Sequence, residues 1–148
     1  MKKLLLRIAC GLIFIHLAGH FIGHTSWKQP ADLKMQEVVN VMVENKANYM
    51  GAVRSLADFY HGYSILLFIV YGLSIWVLWV LSSGKNTDSQ LTKRLVIPFG
   101  IAYLAFGIVE FCLFFPFAAI ISTLAGMAIL LTLANFIKDN QHLVAKPR

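Results

Sequence analysis

Apolar residues run along this chain in long stretches that exceed anything a soluble core needs. The first extends from Leu4 to Gly23, behind a Lys-Lys start. Ser64 to Leu81 holds 18 residues without a formal charge, and Leu95 to Ile137 holds 43 with only Glu110 charged. About 20 apolar residues cross the hydrocarbon of a bilayer. A single helix of 43 residues would reach about 65 Å, roughly twice that thickness, so the last stretch must turn back. Phe114-Phe115-Pro116-Phe117 is the place, because proline disfavours helix in the residue before it. The pattern predicts four spans, near residues 4–24, 57–82, 95–115 and 117–138, with a polar loop at 25–56. Pro98 is expected near the start of the third span, where a missing N–H costs nothing.

The loop has a pattern of its own. Leu33, Met35, Val38, Val39, Met42 and Val43 recur at partly helical spacing, and Pro30 could open a helix. An amphipathic helix over 31–46 on the membrane surface is expected; a lid over a site between the spans is the alternative. The predicted fold class is therefore all-α, an integral membrane four-helix bundle in one domain with an amphipathic segment in its first loop.

Composition agrees. Of the 148 residues 58% are hydrophobic and 14% charged, against about a quarter charged in an average globular chain. This excludes a soluble enzyme, a disordered tail and a secreted disulfide scaffold. Cys10 and Cys112 are isolated thiols within apolar segments. The net charge of +6 changes meaning once its residues are placed. Lys2, Lys3 and Arg7 begin the chain, Lys85, Lys93 and Arg94 lie between the second and third spans, and Lys138, Lys146 and Arg148 end it. Basic residues flank the apolar runs rather than gathering on a face with stacking aromatics, so no nucleic-acid partner is expected. Those nine lie on one side of a four-span topology, and Lys28, Lys34, Lys46 and Arg54 on the other. The asymmetry predicts both termini in the cytoplasm. The basic start resembles a signal peptide, but Arg7, His16 and His20 interrupt its apolar core and no A-x-A-like cleavage site follows, so a retained span is expected.

Ionisable residues inside the spans are the candidate chemistry, since each is costly against lipid. His16, His20 and His24 repeat every four residues and share one helix face. On the second span Arg54, Asp58, His61, Ser64 and Gly72 are read as one stripe, with Ser74 on the other side. On the third, Tyr103, Gly107 and Glu110 share a face with Phe106. By depth, His16, His20, His24, His61 and Glu110 all fall in the outer half. His20, His61 and Glu110 are expected to meet at a shared cavity as acid and base, with His16, Tyr103, Ser64 and Trp27 against the ligand. Imidazoles also suit Zn or Fe, so His16, His20, His24 and His61 form a candidate metal set, and a first-helix His opposite His61 could hold a haem. The blander readings are interhelical hydrogen bonds for the histidines, a local ion pair for Arg54 and Asp58, and interface packing for Trp27, Tyr60, Tyr63, Trp76 and Trp79. His142 lies in the polar tail. H-x-x-x-H without a following Glu is not a zincin motif.

His16-Leu-Ala-Gly-His20, followed by Gly51-Ala-Val-Arg54-Ser55-Leu-Ala-Asp58-Phe-Tyr-His61-Gly62, resembles small four-span bacterial membrane proteins with no assigned function. That resemblance covers the first two spans and their loop, implies a bacterial inner membrane as the location, and implies no activity. In layout alone, without a shared motif, the chain also looks like the emopamil-binding sterol isomerases, whose helices cup a lipid around His and acidic groups. Three functions stay open. One is a protein that binds a lipophilic small molecule and acts on it through the His/Glu cluster, by acid–base or metal chemistry. The others are a haem- or metal-binding electron-transfer or sensor protein and a non-enzymatic accessory subunit. Membrane lipid is a partner in all three.

Overall fold

A computed structural model describes residues 1–83 and 90–144, with side chains through residue 136. The Lys85, Lys138, Lys146 and Arg148 charges and His142 lie outside the described side chains. The elements are α1 (Lys2–Ser26), α2 (Leu33–Glu44), β1 (Lys46–Tyr49), β2 (Ala52–Ser55), α3 (Leu56–Ser83), α4 (Gln90–Leu113) and α5 (Pro116–Val144). Four of these, α1, α3, α4 and α5 through Phe136, are long and apolar enough to cross a membrane. Their outward faces carry bare Phe14, Ile69, Trp76, Phe111 and Leu131, with Phe111 76% exposed. So continuous an apolar surface fits lipid and not water.

The chain divides into two compact units: Met1–His16 with the described residues from Tyr71 onward, and Leu17–Val70. The first is built of four helix segments. Leu6, Ala9, Ile13 and His16 of α1 are buried at i, i+3, i+7 and i+10, the stripe a helix turns toward its neighbours. Cys10 Sγ reaches the Ile75 carbonyl of α3 at 3.6 Å. Lys2 Nζ lies 4.2 Å from the Phe136 ring of α5. The α4–α5 hairpin is packed backbone to backbone. A Cβ built on Gly126 would stand 2.9 Å from Leu104 N and 3.0 Å from the Gly100 carbonyl oxygen. Small residues permit such approach, as membrane helix pairs require when lipid is as apolar as the side chains. The turn falls where proline placed it, with α4 ending at Leu113 and α5 opening on Pro116.

Two expectations about helix faces are corrected here. Pro98 is not near the start of its helix: α4 begins at Gln90, because the polar segment before Leu95 continues the helix and buries Thr92. Pro98 therefore lies inside the helix and supplies no N–H to the Arg94 carbonyl one turn before it. On α3 the buried stripe is Ala57, Ser64, Tyr71, Ser74, Leu78 and Leu81, near-heptad spacing. Ser74 is thus buried, while His61 and Gly72 are exposed.

In the second unit, α2 opens at Leu33 rather than on Pro30. Asp32 caps it, its carboxylate accepting from Lys34 N at 2.9 Å. Val39 is the buried residue of this helix. The rest of the loop is a β-hairpin the apolar pattern did not predict, with Lys46 opposite Ser55 and Tyr49 opposite Ala52. Its two-residue tip needs left-handed backbone at both positions, and Met50 (φ 52°) and Gly51 (φ 91°) supply it. Ser55 and Asp58 then start α3 as a reciprocal cap: Asp58 Oδ2 accepts from Ser55 N at 2.8 Å, and Ser55 Oγ accepts from Asp58 N at 3.1 Å. Arg54 Nη1 meanwhile donates to the Val53 carbonyl at 2.9 Å.

Candidate functional site

The candidate residues fall into two polar clusters, one in each unit. In the first, α1 carries His16 into the buried stripe and supplies both ring nitrogens to neighbours. Nδ1 lies 3.1 Å from Ser122 Oγ of α5, and Nε2 lies 3.1 Å from Tyr71 Oη of α3. Tyr71 donates to Glu110 Oε1 of α4 at 3.5 Å, and the same carboxylate oxygen is 3.5 Å from His16 Nε2. A phenol has one proton, so with Tyr71 donating to Glu110 its oxygen accepts from His16 Nε2–H. Ser122 Oγ, beside His16 Nδ1, has one proton to give either to that nitrogen or to the Glu110 carboxyl. Glu110 Oε2 is buried without a hydrogen-bonding partner among the described residues.

All four side chains are buried. An isolated carboxylate at such a site would cost several kcal/mol. The network therefore holds either a His16–Glu110 ion pair or a neutral pair with the proton on Glu110. These two states differ by one proton, and its direct passage over the 3.5 Å from His16 Nε2 to Glu110 Oε1 leaves the ring protonated on Nδ1, the tautomer in which Nε2 accepts from Tyr71. Tyr103, expected against a ligand, is also buried, its ring 5.7 Å from Phe106. On the same two helices an apolar groove of about 430 Å³ is lined by Gly107, Ile108, Phe111, Ala119, Ile120, Thr123 and Leu124. It begins one helical turn from Glu110 on α4 and includes the neighbour of Ser122 on α5.

The second cluster belongs to the unit Leu17–Val70. His20 Nε2 lies 2.9 Å from Ser64 Oγ and 3.0 Å from the Ser64 carbonyl oxygen. His24 Nδ1 lies 2.7 Å from the same hydroxyl. The His24 ring stacks on His61 at 4.8 Å with 27° between planes, and Phe68 packs against both His20 and His24. Trp27 packs its ring on Tyr60 at 4.7 Å, next to the last turn of α1.

Glu110 thus takes its partners from His16 and Tyr71, while His20 and His61 belong to the other unit with His24 and Ser64. Two residues the sequence reading passed over are central to the first network. Tyr71 follows Ser64 by seven residues, the available signal, but an aromatic within an apolar run reads as packing. Ser122 had none beyond being a hydroxyl in a long apolar stretch. The metal and haem expectations find no donor geometry. Among the described residues no group of three or more His, Cys, Asp or Glu is placed to hold a metal ion. His24 and His61 meet ring face to ring face, whereas a haem needs a nitrogen of each aimed at an iron between them. No protein-family model, curated protein or solved structure matches this chain.

Proposed function

We propose that this chain is a multi-pass membrane protein that binds a lipophilic small molecule along α4 and α5 and exchanges a proton through the His16–Glu110 pair. The observation that carries the reading is the carboxyl of Glu110, buried among membrane-length helices with one oxygen paired and one unpartnered. Intramembrane carboxylates are expensive and usually functional. The groove supplies an apolar wall for an occupant, and membrane lipid is its natural competitor. The distribution of Lys and Arg favours cytoplasmic termini, and the resemblance of the first two spans favours a bacterial inner membrane.

The test uses full-length protein in lipid nanodiscs. A hydrophobic carbodiimide attacks a protonated membrane carboxyl, so a single adduct is expected on Glu110 and none in Glu110→Gln. Native mass spectrometry of detergent-purified protein should show a retained lipophile that Ile120→Trp, which fills the groove, displaces. Neither an adduct nor a retained lipophile would overturn the reading.

A second reading has its own observation. His16 uses one nitrogen toward α3 and the other toward α5, with Glu110 on α4 completing the set. A network that joins four helices suits an accessory subunit whose polar residues lock the bundle. In that case Glu110→Gln lowers stability and no lipophile is retained.

A further inference from the structure

The cluster in the Leu17–Val70 unit has a fixed direction of hydrogen bonding. A carbonyl oxygen only accepts, so the 3.0 Å contact between His20 Nε2 and the Ser64 carbonyl places a proton on Nε2. That N–H also points at Ser64 Oγ, 2.9 Å away. The hydroxyl oxygen therefore accepts from His20 and turns its own proton to His24 Nδ1, 2.7 Å away. Neutral His24 then carries its hydrogen on Nε2. The chain reads His20 Nε2–H to Ser64 Oγ–H to His24 Nδ1. Ser64 is buried, His20 and His24 are half-buried and His61, stacked on His24, is exposed, so a buried hydroxyl joins two half-buried imidazoles and the exposed side lies at the His24 end.

We propose that His20, Ser64 and His24 form a proton relay whose His24 end meets the exposed His61, with His61 as the positioning residue that holds the His24 ring in register. Protonated His20 gives its Nε2 proton to Ser64 Oγ as the serine hydroxyl proton passes to His24 Nδ1. One N–H and one O–H bond break, one of each forms, and the positive charge moves from His20 to His24 without electron transfer. The bare Nε2 then faces the Ser64 carbonyl, lone pair to lone pair, which favours return of a proton to that atom. The charged and titratable neighbours are His61, stacked on His24, and Lys28 beyond the end of α1. The Phe68 ring packs against both imidazoles, 4.8 Å from His20 and 5.2 Å from His24. The relay does not depend on the lipophilic ligand or on Glu110.

Nitrogen-15 histidine NMR on the full chain in nanodiscs, assigned with single His→Gln variants, tests it. At neutral pH both His20 and His24 should carry hydrogen on Nε2. Exchange of the His20 N–H proton with water should slow about 100-fold in Ser64→Ala, the low end of what a positioned proton-transfer group contributes. Ser64→Thr should restore it. His61→Phe keeps a stacked ring and should preserve the rate, whereas His61→Ala should lower it. Hydrogen on His24 Nδ1, or wild-type exchange in a folded Ser64→Ala protein, overturns the relay. Should Ser64→Ala not fold, the wild-type tautomers and the two His61 variants decide.

Discussion

Three glycines at the α4–α5 seam should respond to the same methyl group in different ways, and the order follows from what each methyl meets. At Gly126 it meets backbone on the opposite helix, Leu104 N at 2.9 Å and the Gly100 carbonyl at 3.0 Å. Neither atom can rotate away, so α4 and α5 must separate, an overpacking cost of about 1–3 kcal/mol. Alanine regains roughly 0.5–1 kcal/mol over glycine inside a helix. Gly126→Ala should therefore destabilise by about 1–2 kcal/mol. At Gly100 the obstacle is the tip of Leu130, with Cγ and Cδ2 at 2.5 Å. A half-buried leucine can change rotamer for about 0.5–1.5 kcal/mol, which the helix gain largely offsets, so Gly100→Ala should be near neutral. At Gly107 the methyl strikes Thr123 Oγ1, which can turn, and then stands 3.1 Å from Thr123 N and 3.2 Å from the Ala119 carbonyl. Its cost should fall between the other two.

Unfolding in mixed micelles of rising dodecyl sulfate fraction, followed by far-ultraviolet circular dichroism, gives the three values on one scale. The order Gly126 worse than Gly107 worse than Gly100 is the content of the prediction. Equal losses at Gly100 and Gly126, or no loss at Gly126, would refute the backbone-contact account of the seam.

Other consequences can be measured alongside. Tyr71→Phe removes the hydroxyl shared by His16 and Glu110 and should cost about 1–3 kcal/mol in the same unfolding assay. Glu110→Gln keeps the shape but removes a buried carboxyl, and its midpoint should be unchanged or raised; a large fall would favour the helix-locking reading. Met50→Asn should stabilise the hairpin by about 1 kcal/mol, because asparagine tolerates the left-handed conformation that costs methionine strain; a loss measured by amide exchange across Lys46–Ser55 would contradict this. Reporter fusions at Lys46 and Asn86 should read outside and inside the cytoplasmic membrane, and the reverse result would sink the topology.

Much of the architecture was legible because a membrane imposes a length on apolar runs. The spans expected at 57–82 and 117–138 differ from α3 and the opening of α5 by one residue at each compared end. A proline between paired phenylalanines is a strong enough breaker to locate the last turn. The hairpin was not legible: Lys46–Tyr49 alternates only weakly, and its turn places Met50 where asparagine or glycine is usual. The start of α2 needed the Asp32 cap as well as the apolar spacing, and Pro30 was the more conspicuous signal.

The site was legible only in part. Four-residue spacing assigns His16, His20 and His24 one face of α1, and by that criterion they are equivalent. Yet His16 is 7% exposed while the other two are half-buried. The difference comes from what each meets. His16 is met by hydroxyls of α3 and α5 and by a carboxylate of α4, so both nitrogens are satisfied away from water. His20 and His24 both hydrogen-bond Ser64 of α3, so two imidazoles share one hydroxyl. Periodicity says which way a side chain faces, but the number of hydrogen-bonding partners waiting there is set by chain distant in sequence. That number separates the branched network around His16, with partners on three other helices, from the linear chain through Ser64.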